Sequence, residues 1–404
     1  MNFLRRRPAS LQLLAERDFR NYFIADAMFD FAAQLRQVVM GWAALMLTNS
    51  QFWVGLVIGI PGLTMVMFAP LAGLAVDRYD RRNTLVWVRL SFVAFALPLG
   101  ILAALDMLEL WHLVAASLAV GAARAFSFPA LRAFITDLVG RERVLTANAL
   151  TGSSSSAGEL AGPVVAGILI ASLGIGSIFM GVALVFGVCG LLILRVRSIP
   201  MRERSDEALV SQIRQGISYV ARTPPLPALL VITLTQLPAA AAIPLLPTYA
   251  ENVLNIGASG YGIMSGALGA GFLFGSLATT TILDFPKKGL ALILTALLWD
   301  ISSIVFGFSR SYPLSLVMLF LMGVGGAVHV IFLLTLFQTV AQARMLGRVM
   351  SMYGVLTASF PLGLILGGAL ASAFGNEQAI IIGALGSTPV VLLAYVLSPE
   401  LRRR

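Results

Sequence analysis

The feature that most constrains this chain is a succession of apolar segments, each about 20 residues or longer, separated by polar links. Crossing the roughly 30 Å hydrocarbon core of a bilayer takes about 20 helical residues, so each segment has the length of a transmembrane helix. Hydrophobic residues make up 58% of the 404 residues, and charged residues only 12%, well below the share that is usual in soluble domains. The sequence therefore predicts an all-α membrane protein.

Hydropathy and turn residues predict twelve transmembrane helices. They lie at about 20–47, 52–76, 83–105, 112–138, 145–171, 175–195, 226–250, 259–282, 288–308, 313–340, 346–373 and 378–397. The basic residues of a chain with net charge +9 fall in alternate links, and Arg310 is the one basic residue in the opposite links. By the positive-inside rule, both termini are cytoplasmic. The polar residues after the first arginines predict no cleaved signal peptide, and the single cysteine, Cys189, can form no disulfide within the chain.

A long polar link divides the twelve predicted helices into two sets of six, and the two halves resemble each other at an offset of roughly 200 residues. We expect two pseudo-symmetric six-helix bundles, a repeat plan of secondary transporters. The predicted parts are a cytoplasmic segment 1–19, bundles 20–195 and 226–397, a linker 196–225 and a basic tail 398–404. Apolar residues recur at helical spacing in the linker and predict an amphipathic helix there: Leu209, Ile213, Ile217 and Val220.

The link after the second helix has a characteristic spacing of glycine, acid and arginines. Its residues are Gly73, Asp77, Arg78, Arg81 and Arg82. This pattern resembles motif A of the major facilitator superfamily, and the resemblance implies a conformational latch, in which charges at helix ends hold one conformation closed. The alternative interpretation is a basic loop that only sets the topology.

The fourth and fifth helices extend the resemblance. Residues 121–130, with Phe126, Ser127 and Phe128, and residues 145–150 are similar to the enterobactin-exporter-like, transmembrane secretion effector branch of the superfamily. The fifth helix resembles motif C of proton-coupled exporters, with Ala166 in place of one glycine, at Gly158, Gly162, Pro163 and Gly167. We expect a break in the helix there, and the alternative is a generic kink. The resemblance covers nearly the whole chain and implies a bacterial cytoplasmic (inner) membrane.

Ionisable side chains in the predicted spans cost about 2.5 to 3.5 kcal/mol each on insertion scales, so each needs a function or a partner. Seven occur, at Asp26, Asp30, Arg36, Arg124, Glu159, Asp300 and His329. The resemblance implies that the first, fourth, seventh and tenth helices line a central cavity, where Asp30 and Arg124 would face each other. Our hypothesis is that Asp30 carries the proton and that Arg124 is its switchable partner. The alternative is a permanent ion pair that fixes helix packing.

The other ionisable residues have open roles. Asp26 shares a helical face with Asp30, and Glu159 is a second candidate for the proton site or a residue of an outer vestibule. We expect Asp300 to form helix contacts, and Arg36 to reach towards the outer surface. His329 is a substrate contact or a hydrogen-bonded packing residue. The candidates for the substrate cavity are Gln34, Phe126, Ser127, Phe128, Thr233, Gln236, His329, Thr335 and Gln338.

The sequence contains no Walker A motif, no paired metal ligands and no nucleophile constellation, so it predicts a transporter without a cofactor and not an enzyme. The expected partners are a small-molecule substrate, protons and the lipid bilayer, with no nucleic acid, and the functional state is predicted to be a monomer. The first hypothesis is a proton-motive-force-driven exporter of a siderophore or a similar secreted metabolite. The alternatives are a multidrug (antibiotic) efflux transporter and a transport-inactive membrane sensor or assembly partner.

Overall fold

The computed structural model describes residues 9–76, 79–140, 142–197, 218–282, 287–342, 345–357 and 359–403. Within these ranges every regular element is helical and no strand occurs. The predicted linker helix falls largely outside them, since Leu209, Ile213 and Ile217 are not described. Val220 is buried in a helical turn at 218–222.

The N-terminal half contains six described helices. They are α1 (Ala9–Ala15), α2 (Arg17–Thr48), α3 (Gln51–Val76), α4 (Arg81–Ala104), α5 (Leu110–Val139) and α6 (Val144–Leu194). Helix α6 has 51 residues, and its one residue outside the helical region is Gly174, with φ 76° and ψ 165°. Because glycine has no Cβ, it adopts this conformation without the penalty of other residues. Gly174 therefore separates two arms, which correspond to the fifth and sixth predicted spans.

The C-terminal half begins with a spanning segment of mixed helical type. Its parts are α7 (Leu226–Leu234), α8 (Gln236–Ala239), a 3₁₀ segment (Ala240–Leu245), α9 (Leu246–Thr248) and a π turn (Tyr249–Val253). Pro244 and Pro247 lack the N–H that a continuous α-helix requires, which explains why the α-helical pattern does not continue. The remaining helices are α10 (Gly257–Ile282), α11 (Lys288–Phe308), α12 (Tyr312–Val340), α13 (Leu346–Leu356), α14 (Ser359–Phe374), α15 (Asn376–Leu397) and α16 (Pro399–Arg403).

The helices have the lengths and compositions of membrane spans. In the described ranges, 10 helical stretches are long and apolar enough to cross a bilayer, and one of them is α6 with its two arms. Helix α2 is not among the 10; it carries six charged residues, and its 32 residues extend about 48 Å. Counting both arms of α6 and adding α2 gives the twelve predicted spans, and the all-α membrane fold is confirmed.

The helices divide between two compact units. Unit 1 comprises 1–40 and 61–204, and unit 2 comprises 41–60 and 205–404. The α2–α3 hairpin (residues 41–60), which the sequence analysis places in the N-terminal bundle, thus belongs to unit 2.

Specific contacts hold the α2–α3 hairpin within unit 2. The Trp42 ring stacks on Tyr261 with centroids 6.0 Å apart, and the Phe52 amide donates to Ser372 Oγ at 2.9 Å. At Gly59, a Cβ atom would lie 2.7 Å from the Pro361 carbonyl oxygen. Small residues at such positions let membrane helices approach through their backbones.

Candidate functional site

Unit 1 contains a cavity of about 660 Å³, a volume within the range of small-molecule sites. Residues of α2, α4, α5 and α6 contribute to its lining, and the lining includes charges of both signs: Asp26, Asp30, Arg89 and Arg124. Neutral polar side chains complete the set: Ser127, Thr136, Asn148, Thr151 and Ser155. Such a lining suits a polar or amphipathic solute better than a purely apolar one.

A buried ion pair joins α2 to α4 at one side of this cavity. Arg89 Nη2 lies 3.1 Å from Asp26 Oδ1, and the two side chains are 1% and 5% exposed. The Tyr22 hydroxyl donates to Asp26 Oδ2 at 3.3 Å, and the Arg89 guanidinium lies 3.5 Å from the centroid of the Phe29 ring. These contacts compensate both charges, as burial in the membrane requires.

Arg89 was missed by the sequence analysis. It is the seventh residue of the predicted span 83–105, and it was not counted among the seven intramembrane ionisable residues. Its position could have identified it, because the predicted span 83–105 contains no acid. A buried arginine in such a span needs an acidic partner from another helix.

Asp30 and Arg124 line the same cavity, but they do not form the predicted ion pair. Asp30 accepts a hydrogen bond from the Ser155 hydroxyl of α6 and is half-buried, and the Arg124 side chain is exposed. Within the described ranges, neither residue has an oppositely charged partner within 4 Å. The acid that is paired is Asp26, and its partner is Arg89. Ser155 supplies Asp30 with a neutral donor instead.

The motif C-like glycines bring α6 close to the segment of α2 that carries Asp30. A Cβ at Gly158 would lie 3.3 Å from the Phe31 nitrogen, and a Cβ at Gly162 would lie 2.6 Å from the Gln34 Cβ. The backbone stays helical through Pro163, so the predicted break is not present at this position; the departure is at Gly174. Gly167 is buried in the same arm. The glycines therefore serve close packing of the two helices.

Part of the predicted latch can be located. Arg81 forms an ion pair with Asp137, which joins the start of α4 to the end of α5. Arg82 Nη1 donates to the Val196 carbonyl at 3.2 Å, and Asp80 caps α4 by accepting from the Asn83 amide at 2.8 Å. Asp77 and Arg78 lie outside the described residues, and Gly73 falls within α3. The latch function itself stays a prediction.

Other predicted residues of unit 1 lie away from the cavity lining. Glu159 is exposed, and Phe126 lines a separate groove between α4 and α5. The side chain of Phe128 lies outside what the structure describes. Arg36 is 6% exposed and lies 5.9 Å from the centroid of the Phe92 ring, so the expectation that it reaches the outer surface is wrong.

Unit 2 contains a smaller cavity, of about 100 Å³, which is lined by Gln236, Asp300 and His329 among others. His329 Nδ1 lies 3.3 Å from Thr295 Oγ1 and 3.2 Å from the Leu292 carbonyl oxygen. The remaining candidates of unit 2 do not line it. Thr233 and Thr335 donate to carbonyl groups of their own helices, and Gln338 is exposed.

These features define a class of protein: a multi-pass, all-α membrane protein with a charged and polar cavity among the helices of unit 1. Solved structures agree on the fold. A bacterial homologue of the lysosomal transporter Spinster matches with a TM-score of 0.71 and 14% identity, over 97% of this chain and 95% of that one. A D-xylose–proton symporter matches with a TM-score of 0.73 and 11% identity, over 96% of this chain and 99% of that one.

The family follows from the sequence match. Residues 9–402 match the transmembrane secretion effector family, and the chain belongs to it. The enterobactin exporter EntS of Shigella flexneri is 27% identical over 397 residues, which cover 95% of this chain and 92% of the relative. The enterobactin exporter EntS of Escherichia coli O1:K1 is 26% identical over the same shares. The resemblance stated from the motifs is thereby confirmed.

Proposed function

We propose that the protein is a proton-driven exporter of a small secreted metabolite, with a siderophore as the first candidate. The observation that carries the proposal is the cavity of unit 1, which Asp30 and Arg124 line and where, among the described side chains, neither has an oppositely charged group within 4 Å. The family membership and the relatives that export enterobactin support the substrate class and the direction.

Asp30 is the proposed proton carrier. As a carboxylate it accepts a hydrogen bond from the Ser155 hydroxyl. This charge-assisted hydrogen bond links α2 to α6. A neutral carboxyl is a weaker acceptor, so uptake of a proton weakens this link. Because Gly158 lies against the backbone of Phe31, the residue after Asp30, a loosened link can be transmitted to the packing of the two helices.

Arg124 is the proposed contact for an acidic or phenolic group of the substrate. Its guanidinium offers up to five donors in a planar fork, which suits paired oxygen acceptors. Arg89 lines the same cavity, but its charge is already compensated by Asp26. Arg124 is therefore the cation that a substrate can engage without breaking a buried ion pair.

Transport by the purified full-length protein in proteoliposomes tests the proposal. We expect an imposed pH gradient to drive movement of enterobactin, and an uncoupler to stop it. Asp30→Asn should abolish the gradient-driven component, and Arg124→Gln should weaken substrate binding. Ser153→Ala is the matched control, because the Ser153 hydroxyl donates to Ala149 within its own helix.

Each alternative function has a distinct result. Gradient-driven movement of several unrelated antibiotics or dyes, with none of enterobactin, would establish multidrug efflux. A sensor or assembly partner would show no gradient-dependent flux of any solute. Full proton-coupled export by Asp30→Asn would refute the role of that residue while leaving export itself intact.

A further inference from the structure

The cavity of unit 2 contains a buried carboxylate that is not part of the proposed transport site. Asp300 lies on α11 and is 3% exposed. The hydroxyl groups of Ser387 and Thr388 on α15 both donate to the same oxygen, Oδ2. In the described ranges, no basic side chain lies within 4 Å of this carboxylate. Among the described residues its charge is met by these two neutral donors, and both of them bind Oδ2 rather than Oδ1.

The cavity next to Asp300 has room for the water that would deliver this proton. Its volume of about 100 Å³ is well above the roughly 10–15 Å³ that a cavity needs to hold one water molecule. Polar groups line it and can hold such water: Thr235, Gln236, Thr295, His329 and Ser387.

The helices around α11 bring one other titratable side chain to this cavity in the described ranges, His329 of α12. On α15, Glu377 lies ten residues before Ser387, about 15 Å along the helix, and is paired with Arg310.

Tyr353 forms a side-chain hydrogen bond with Gln236 of the cavity lining, and further titratable groups lie at the two ends of α11. The short helix α16, which carries Glu400 and Arg402, contacts α11 at Gly289, about 16 Å from Asp300. The Tyr249 hydroxyl donates to the Gly307 carbonyl, about 10 Å from Asp300 in the other direction. His329 is thus the group that a test must separate from Asp300.

The residue before Asp300 connects this cavity to the interrupted spanning segment. Trp299 Nε1 donates to the Ala239 carbonyl oxygen at 3.0 Å. Ala239 is the last residue of α8, where the α-helical backbone changes to the 3₁₀ segment Ala240–Leu245. A shift of α11 at Asp300 therefore acts directly on the point where the segment 226–253 changes helical type.

We propose that Asp300 is a proton-binding site of unit 2 and that its protonation acts through Trp299 on the interrupted segment 226–253. Water in the cavity transfers a proton to Oδ1, so one O–H bond forms on the carboxyl and one breaks on the hydrated proton. The two hydroxyl bonds to Oδ2 then lose their charge assistance, which loosens α11 from α15. This site is distinct from the cavity of unit 1 and does not rest on the proposed export function.

Trp299 provides a direct test in the full-length chain. The other four tryptophans, Trp42, Trp53, Trp87 and Trp111, are replaced by phenylalanine, and Trp299 emission is titrated from about pH 4 to about pH 9. We expect a one-proton transition that Asp300→Asn removes. His329→Gln, which alters the other titratable group of the cavity, and Asp30→Asn, in unit 1, should both retain it. Asp300→Asn keeps the side-chain shape, and size-exclusion chromatography verifies that the variant is folded.

Carbodiimide labelling gives an independent measurement in the protein with all its tryptophans. These reagents react with protonated carboxyl groups, so labelling of the peptide that contains Asp300 should fall as the pH rises. The proposal is overturned by an emission transition that persists in Asp300→Asn, by one that is lost in His329→Gln, or by labelling of Asp300 that does not depend on pH. A shift of Trp299 emission by sodium at constant pH would also overturn it, because the ligand would then be a metal cation.

Discussion

Replacing Arg89 by methionine is the most informative perturbation of unit 1. Methionine keeps much of the aliphatic volume of arginine but removes the guanidinium that pairs with Asp26 at 3.1 Å. The carboxylate then remains in a site where it is 5% exposed, with the Tyr22 hydroxyl as its remaining hydrogen-bond donor. We therefore expect a large loss of stability from a change that creates little empty space.

The size of the effect follows from the burial of both partners. Removing one member of a buried ion pair costs about 3–5 kcal/mol, most of it from the charge that is left unpaired. The contact of Arg89 with Phe29 adds about 1–2 kcal/mol if its charge stays desolvated. We expect Arg89→Met to lower the free energy of unfolding by at least about 4 kcal/mol, the lower end of the sum of the two contributions. The double variant Asp26→Asn/Arg89→Met should lose about 2 kcal/mol or less, because neither charge remains.

The assay is unfolding of the purified full-length protein in mixed micelles by increasing SDS, followed by circular dichroism. The single and double variants and Asp26→Asn together form a double-mutant cycle, which isolates the pairwise energy. A coupling of about 2 kcal/mol or more supports the buried pair as a structural element. Equal losses in Arg89→Met and in the double variant, or no loss in Arg89→Met, would refute the reasoning.

Two further predictions concern stability. Gly323→Val should destabilise the protein by about 1–3 kcal/mol in the same SDS assay, because a Cβ at Gly323 would lie 2.7 Å from the Phe272 nitrogen. The control is Gly354→Ala, which should be tolerated because a Cβ at Gly354 would have no atom within 4 Å. Arg81→Ala should lower the free energy of unfolding by about 1 kcal/mol, because the ion pair of Arg81 with Asp137 is only partly buried. The charge reversal Arg81→Asp/Asp137→Arg should recover part of this stability, measured by thermal unfolding. No recovery in the reversed pair would show that Arg81 acts through contacts other than this ion pair.

The fold could be predicted from sequence because lipid leaves few choices for the backbone. A span must satisfy its own hydrogen bonds, so an apolar segment of about 20 residues becomes a helix almost regardless of its neighbours. Local exceptions were harder to predict. The span 226–250 was predicted as one continuous helix, although Pro244 and Pro247 already argued against regular α-helical hydrogen bonding. Gly174 was correctly placed in the link between two predicted spans.

The candidate site could be predicted only in part because pairing depends on which faces of two helices meet. The sequence placed Asp26 and Asp30 on one helical face, but a shift of one helical turn decides which acid meets an arginine of another helix. Arg89 was overlooked: Arg124 was predicted as the partner of Asp30, whereas the ion pair in the structure joins Arg89 to Asp26. Similarly, the glycines of α6 were predicted to break the helix, whereas their position against Phe31 and Gln34 shows a role in packing.

The two acids of α2 illustrate how burial separates a structural charge from one that is suited to switching. Asp26 and its arginine are both nearly inaccessible, so separating them would leave two uncompensated charges in a medium of low dielectric constant. Asp30 is half-buried beside a cavity and bound to a neutral hydroxyl, so exchanging its charge for a proton disturbs one hydrogen bond and no ion pair. A proton-coupled transporter has to bind and release a proton in every cycle, and at Asp30 this exchange leaves the buried ion pair intact. For that reason our proposal places proton exchange at Asp30 and helix packing at Asp26.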